Sequence, residues 1–384
     1  MRIGILIDEY VSGAAPVLAT QEARYLEEAG FEVDILVGTK FNSKNQRDNP
    51  ENNSIKFLTE RYPWFVRKLN FRFPFFSFFS PQHLISALFA PLVIKEKDYD
   101  LIIAHGLFSS LIACNLRRVR KISFFSFFWD PSSCILPKVY AKTPLRSFFF
   151  ALIPATAFID KGIARKTDKL ILGSKFHLKW FSDRGIKDID IVYPGCFPAQ
   201  TLPDQRGDFV LAVDRWDIGS LPDIFLEILQ ISKYKFELKV VGHWHSEHLK
   251  NKFLHKVAES GLEDLVEVTG PLSFEELKQL FLQARCFVHP TLEAFGMSAL
   301  EAASYGCPFI IPRSSGVTDL FVHGKHGFFP TDKNIDEYAM YIEKLVKDKY
   351  LAYEMGRSAW EAAKRYTWRY HAQRITDIIR DFLN

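Results

Sequence analysis

The chain has 384 residues and a formal net charge of +4, with 48% apolar and 24% charged residues. These fractions exclude a disordered or collagen-like polymer and fit two globular domains, each large enough for its own core. Five cysteines without a CxxC pair exclude a disulfide scaffold and a zinc ribbon and suit a reducing compartment.

Ile3 to Ile7 reads as a short buried strand, followed by Gly13-Ala14-Ala15 and a helical pattern from Thr20 to Ala29 that Gly30 stops. Phe31 to Val37 is the next strand, which makes a βαβ opening. Further strands are predicted at Leu101 to Ala104, Ile122 to Phe128 and Lys169 to Leu172. Tyr193 through Pro203 is a Pro-rich linker, after which the alternation restarts. Strands at Phe209–Val213, Glu237–Val241, Val266–Thr269, Cys286–His289 and Phe309–Ile311 alternate with helices at Asp223–Ile231, His248–Ser260, Phe274–Gln283 and Met297–Tyr305. Ser273 with Glu276 forms a capping box for the third of these helices. Helices over Ile335–Lys347 and Tyr350–Phe382 end the chain and either cap the second domain or cross back to the first. Alternating strands and helices imply α/β architecture with parallel sheets covered on both faces. Two such domains in tandem leave a ligand cleft at the carboxyl ends of their strands.

Phenylalanine is abundant, with 36 residues concentrated in the first half, as at Phe71–Phe79, Phe124–Phe128 and Phe148–Phe150. Pro74, Pro81, Pro91, Pro154 and flanking charges interrupt every run before it spans a bilayer. Met1-Arg2-Ile3-Gly4-Ile5-Leu6 leads straight into a strand and is no signal peptide, so a cytoplasmic protein is expected. Basic residues outnumber acidic ones in residues 1–190, and the reverse holds in 191–384. The first half therefore suits an anionic partner, unless the excess is only solvated lysine on helices. Trp64-Phe65-Val66-Arg67-Lys68-Leu69-Asn70-Phe71-Arg72-Phe73-Pro74-Phe75-Phe76 mixes cations with aromatics as a membrane-interface segment does. A buried helix pair over the sheet is the other reading of this stretch. Peripheral membrane contact through this half is the expectation. The basic residues form no reading element for nucleic acid.

The most informative stretch is His289-Pro290-Thr291-Leu292-Glu293-Ala294-Phe295-Gly296-Met297-Ser298-Ala299-Leu300-Glu301. A strand ends at His289, Gly296 permits close backbone approach, and a helix starts with unpaired N–H groups suited to a phosphate. Glu293 and Glu301 are acceptor-only groups suited to sugar hydroxyls. On residue chemistry alone, an ordinary strand–loop–helix with a solvent-facing Glu301 stands beside this reading.

Glu293 through Glu301 resembles the E-x7-E motif of retaining GT-B glycosyltransferases of the family 4 (group 1) type. The resemblance continues through Gly306-Cys307-Pro308-Phe309-Ile310, Ser315-Gly316-Val317-Thr318-Asp319-Leu320-Phe321 and Gly324 to Phe329. Tyr366-Thr367-Trp368 resembles the signature that opens the family's terminal crossing helix, and Gly270-Pro271-Leu272-Ser273 resembles its turn beneath the nucleobase. The resemblance is strong over the C-terminal half and weak over the N-terminal half. It implies two Rossmann-like doubly wound domains facing a cleft. These are an acceptor domain over 1–195, joined by a terminal helix over 368–384, and a donor domain over 203–367. It implies that Glu301 holds the nucleotide ribose and Glu293 the sugar hydroxyls. Backbone N–H groups at Phe295, Gly296 and Met297 would meet the sugar or diphosphate, and Arg215 would neutralise the departing diphosphate. Gly13 would face the diphosphate, and Gly270 and Leu272 would line the nucleobase. Arg215 and Glu293 are the catalytic candidates; His105 and Asp130 are candidates on the acceptor side.

The implied reaction moves a hexose, with retention and without a metal or other cofactor, from a nucleotide diphosphate sugar to a glycan or lipid-linked acceptor at the cytosolic membrane face. The chain departs from the family at Ser220, where the family has a lysine, in lacking a His around Phe125–Pro131, and at Cys196, which follows the linker's Gly195 in place of an Asp. The alternative is a non-catalytic GT-B module that binds a sugar nucleotide or pairs with an active glycosyltransferase. A nicotinamide dehydrogenase is disfavoured because no G-x-G-x-x-G follows the first strand. His243-Trp244-His245 with His248 reads as a strand-end loop, and Asp188-Ile189-Asp190 as a turn; neither is expected to bind metal.

Overall fold

The computed structural model describes residues 1–10, 14–39, 55–68, 81–95, 97–140, 146–216 and 222–384. The described strands pair only in parallel and form two sheets. The chain divides into two compact units, one of Met1–Leu136, Phe148–Gly195 and Trp368–Asn384, the other of Pro137–Ser147 and Cys196–Thr367.

The first stretch of chain runs β1 (Arg2–Glu9), α1 (Ala14–Glu28), β2 (Glu32–Thr39), β3 (Ile55–Phe57), α2 (Leu58–Arg61), α3 (Trp64–Arg67), α4 (Pro81–Val93), β4 (Leu101–His105), α5 (Leu107–Arg120), β5 (Ser123–Phe128), α6 (Ser132–Tyr140), α7 (Arg146–Ala151), α8 (Ile153–Lys166), β6 (Lys169–Leu172), α9 (Leu178–Ser182) and β7 (Ile189–Ile191). The sheet order is β3-β2-β1-β4-β5-β6-β7. A parallel strand is buried on both faces, so its residues alternate between two apolar layers. Ile3, Ile5, Ile7, Phe125 and Phe127 pack in one layer. Leu6, Ile102, Ala104 and Phe124 pack in the layer on the other face. The phenylalanine run at 124–128 is thus a central strand, with Phe125 and Phe127 in one cluster, Phe124 in the second and Phe128 in a third with Phe181 and Leu172.

The second sheet is built from β8 (Phe209–Trp216), α10 (Asp223–Ile231), β9 (Glu237–Trp244), α11 (Glu247–Glu259), β10 (Val266–Val268), α12 (Phe274–Gln283), β11 (Cys286–Val288), α13 (Met297–Ser304), β12 (Phe309–Ile310) and β13 (Gly327–Phe328), in the order β10-β9-β8-β11-β12-β13. The predicted capping box of α12 is present: Glu276 N–H donates to Ser273 Oγ, and Ser273 N–H to the Glu276 carboxylate at 2.8 Å. α14 (Ile335–Lys347) and α15 (Lys349–Ala363) follow, and α16 (Trp368–Leu383) belongs to the first unit, where it packs on α1. The terminal helical pattern is therefore broken at Tyr366-Thr367, where Cys196 N–H donates to Tyr366 O at 2.9 Å.

Two expectations are corrected. β9 does not end at Gly242 but runs to Trp244, so His243 and Trp244 are strand residues rather than a loop. The reason is Gly242, whose φ of +141° and missing side chain let it lie against Asp214; a Cβ there would sit 1.8 Å from the Asp214 carbonyl oxygen. Asp190 lies in β7 opposite Ile171 rather than in a turn, with Lys169 Nζ 3.9 Å from its carboxylate and 3.2 Å from that of Asp188. The aromatic stretch beyond Lys68 lies outside the described residues, as do Gly13 and Ser220. No described helix is long and apolar enough to cross a membrane.

Candidate functional site

In the second unit the chain winds outward from β8 through β9 to β10, then restarts at β11 on the other side of β8. The carboxyl ends of β8 and β11 thus flank a topological switch point, where open α/β sheets leave a ligand crevice. Arg215 stands at the end of β8 with an exposed side chain, its N–H on Asp214 Oδ1 at 2.6 Å. His289 follows β11, buried, with its ring stacked near Phe287. Its Nδ1 lies 3.9 Å from Asp214 Oδ2 and its Nε2 3.5 Å from Glu293 Oε1. Burial opposes a charge on His289, but the Asp214 and Glu293 carboxylates outweigh it and raise its pKa. The ring thus sets one nitrogen toward each of the two carboxylates. In sequence His289 reads as a strand end; the signal for its contact with a carboxylate is a Glu four residues on.

The loop between His289 and α13 is held from below by the next segment. Glu293 N–H donates to Ser315 Oγ at 3.3 Å, Gly316 N–H to Glu293 O at 3.1 Å, and Val317 N–H to Phe295 O at 2.6 Å. Phe295 is buried, so its ring is part of the core and only its backbone faces the loop. Gly296 caps α13 at φ +104°, where a Cβ would lie 3.0 Å from Ile311 Cδ1 and 3.3 Å from Val317 Cγ1. That conformation turns the chain into the helix so that the Met297 and Ser298 amides have no carbonyl of their own helix to meet, while Ala299 N–H already donates to Gly296 O at 3.2 Å. The helix dipole favours an anion at the same place.

Glu301 lies one turn further along α13 and is half-buried. Its carboxylate meets no hydrogen-bond donor or cation among the described residues, and burial pushes its pKa up to about 7. Gly270 borders open space, with no atom within 4 Å of where a Cβ would stand, and Leu272 is half-buried beside it. Thr269 Oγ1 and Trp244 Nε1 are buried without a partner near the ends of β10 and β9. Sequence alone singles out Trp244 only within His243-Trp244-His245, and Thr269 only as a strand residue. The carboxyl edge of this sheet thus gathers Arg215, Glu293, the α13 amides and Glu301, which fit an anion flanked by hydroxyls.

The first unit has its own switch point, between β1 and β4. His105 ends β4. The ring is fully buried, with Nε2 2.7 Å from Glu22 Oε2. His371 of α16 lies on the same carboxylate, Nε2 3.8 Å from Glu22 Oε1, while its Nδ1 meets Tyr193 O at 2.8 Å. Burial alone pushes the Glu22 carboxyl up; His105 and His371 outweigh it and hold the pKa down at about 2. Glu22 of α1 therefore joins His105 of β4 and His371 of α16. Asp130, after β5, is half-exposed and paired with His177 Nε2 at 2.7 Å. The histidine paired with Asp130 comes from the turn after β6. Asp8, near the end of β1, accepts hydrogen bonds from the Ser109 N–H at 2.6 Å and from its hydroxyl. No group of three or more His, Cys, Asp or Glu among the described residues is arranged to hold a metal ion.

A family model described as "Glycosyl transferases group 1" matches residues 197–365, and one described as "Glycosyltransferase Family 4" matches residues 15–199. The D-inositol 3-phosphate glycosyltransferase of Pseudarthrobacter chlorophenolicus is 31% identical over 113 residues, 29% of this chain and 27% of that protein. The mannosylfructose-phosphate synthase of Agrobacterium fabrum is 28% identical over 184 residues, 45% of this chain and 40% of that protein. The aligned parts thus span less than half the length of these curated relatives. Among solved structures, sucrose-phosphate synthase from Thermosynechococcus elongatus superposes with a TM-score of 0.76 at 18% identity, over 100% of this chain and 99% of that one. HepE of Anabaena, solved in complex with UDP and glucose, superposes with a TM-score of 0.76 at 16% identity, over 99% and 100%.

Proposed function

The chain belongs to the group 1, family 4 type of glycosyltransferase, with the GT-B fold, and on that premise we propose that it transfers a hexose, with retention, from a nucleotide diphosphate sugar to a glycan or lipid-linked acceptor at the cytosolic face of a membrane. The observation that carries the donor site is Glu301: a half-buried carboxylate with no hydrogen-bond donor or cation on it among the described residues, on the helix whose N-terminus opens at Gly296. In this reading Glu301 accepts the ribose hydroxyls, and Glu293, braced by His289, accepts hydroxyls of the sugar. Arg215 and the α13 amides stabilise the charge that develops on the diphosphate as its bond to the anomeric carbon breaks. Arg suits this because its planar fork matches two phosphate oxygens. The acceptor oxygen bonds to the anomeric carbon on the face the diphosphate leaves, and its proton passes to a diphosphate oxygen. No metal ion is assigned a part in this.

The test is a thermal-shift series with UDP, GDP and ADP in the presence of a chelator, on wild type and Glu301→Ala. UDP is the first choice because HepE is held with it. A ligand bound only by the folded state raises the melting temperature by mass action. A rise with one nucleotide that Glu301→Ala abolishes supports the donor site. No rise with any of them at millimolar concentration overturns it. Ser220, in place of the family lysine, favours the second reading, a non-catalytic sugar-nucleotide-binding module; binding without turnover on any glycan or lipid acceptor would select it.

A further inference from the structure

One face of the first unit's sheet is covered by α4, α5 and α8, with α4 packed on α5 and α5 on α8. Their inward residues, among them Ala90, Ile112, Leu116 and Ile163, fill the cores beneath. A helix in this position ordinarily turns charges outward. α4 instead presents Leu84, Leu88 and Leu92, spaced by four and 46%, 69% and 62% exposed. α8 adds Phe158 at 77% and Ile159 at 40%. The sequence of α4 contains no Lys, Arg, Asp or Glu, and its His83 is turned inward, stacked on Phe108.

The charges on this layer have one sign. Asp160 is the sole carboxylate in α4, α5 and α8, and it is buried on Ser132 Oγ at 2.7 Å. Of the cations, Arg117 is paired with Asp168, and Arg120 donates to Pro91 O at 2.6 and 2.9 Å. Arg118 on α5 and Lys161, Arg165 and Lys166 on α8 face no carboxylate among the described residues. On α3, Trp64 is exposed, with Lys68 Nζ 5.0 Å from its ring centre.

We infer that the outer face of α4, α5 and α8 docks on a lipid surface bearing anionic headgroups. The leucine stripe and Phe158 enter the headgroup boundary, and the unpaired cations meet lipid phosphates. α4 has 13 residues, too few to span a bilayer, so it lies in the membrane plane. A second copy of the chain on this face would set cations against cations. The inference deepens the reading above and rests on it for the acceptor's class, since a lipid-linked acceptor is met at such a surface.

The test is co-sedimentation of the full chain with vesicles of phosphatidylcholine alone and of phosphatidylcholine with phosphatidylglycerol in equal parts. Wild type is expected to bind the anionic vesicles, less so at high salt, and to bind the neutral ones weakly. Leu84→Ser/Leu88→Ser/Leu92→Ser and Arg118→Glu/Lys161→Glu/Arg165→Glu/Lys166→Glu are each expected to lower the partition coefficient by on the order of tenfold or more. Circular dichroism and an unchanged UDP-induced thermal shift show that each variant is folded. Equal binding by wild type and the leucine variant, or no binding to anionic vesicles, overturns the inference. So does a wild-type dimer in light scattering that the leucine variant dissolves. Because no donor is needed, vesicle binding without any nucleotide shift would sink the donor site and leave this surface standing.

Discussion

Replacing Glu301 by Gln should make the protein more stable and its donor site worse. Burial raises the Glu301 pKa from 4.5 to about 7 in the folded chain. Below pH 4.5 the carboxyl is protonated folded and unfolded, so it costs nothing. Between pH 4.5 and 7 the unfolded chain ionises first, and stability falls as pH rises; above 7 the full cost is present. That interval is about 2.5 pH units, and at about 1.4 kcal/mol each it comes to about 3 kcal/mol. Solvent on the open side of the half-buried carboxylate trims this to about 1–2 kcal/mol. Gln keeps the shape without the charge. Melting curves should therefore place Glu301→Gln about 2–8 °C above wild type at pH 8, and level with it at pH 4.5. Nucleotide affinity should move the other way. If only the carboxylate accepts the ribose hydroxyls, wild-type affinity rises about tenfold from pH 6 to pH 8 as the group ionises, while the variant binds weakly and without that pH dependence. A variant no more stable than wild type at pH 8, or one with an undiminished nucleotide shift, would refute the reasoning.

Arg215→Ala should lower kcat by about 10²–10³ with a modest change in nucleotide affinity, as expected for a group whose work is on the leaving diphosphate; steady-state kinetics that showed only a raised KM would count against that role. Gly296→Ala puts a Cβ 3.0 Å from Ile311 Cδ1 at a φ of +104° and should cost about 1–3 kcal/mol in denaturant melts. Gly242→Ala meets backbone at 1.8 Å and should be the worse of the two, separating β8 from β9 beside Arg215; equal losses would contradict the close approach. Glu22→Gln removes the carboxylate between His105 and His371. With a folded pKa of about 2, Glu22 contributes stability above pH 4.5 that is lost as pH falls toward 2. The variant should be about 3 kcal/mol less stable at neutral pH, and the deficit should shrink in acid; a deficit independent of pH would point to packing alone.

Much of the architecture is legible locally. The strands and helices over residues 209–310 follow hydrophobic runs, a capping box at Ser273 and stops at Gly306, all signals carried within a few residues of one another. Glu293, Gly296 and Glu301 are legible for the same reason, since strand end, loop and helix start fall within one short stretch. What failed was what depends on a neighbour in space. β9 continues past Gly242 because β8 lies against it. His105 does end its strand, but its contact with Glu22 of α1 at 2.7 Å has no local signal.

The sequence by itself determined the α/β alternation and the acidic pair around the α13 start, because periodicity, turn residues and helix caps act locally. Only tertiary structure decided which charges meet. Glu22, His105 and His371 come together from α1, β4 and α16, and Asp130 finds His177 across the sheet edge. Equally, periodicity identifies an apolar stripe but not the side it faces. The leucines of α4 are exposed, because α5 and the sheet already fill the other side of the helix.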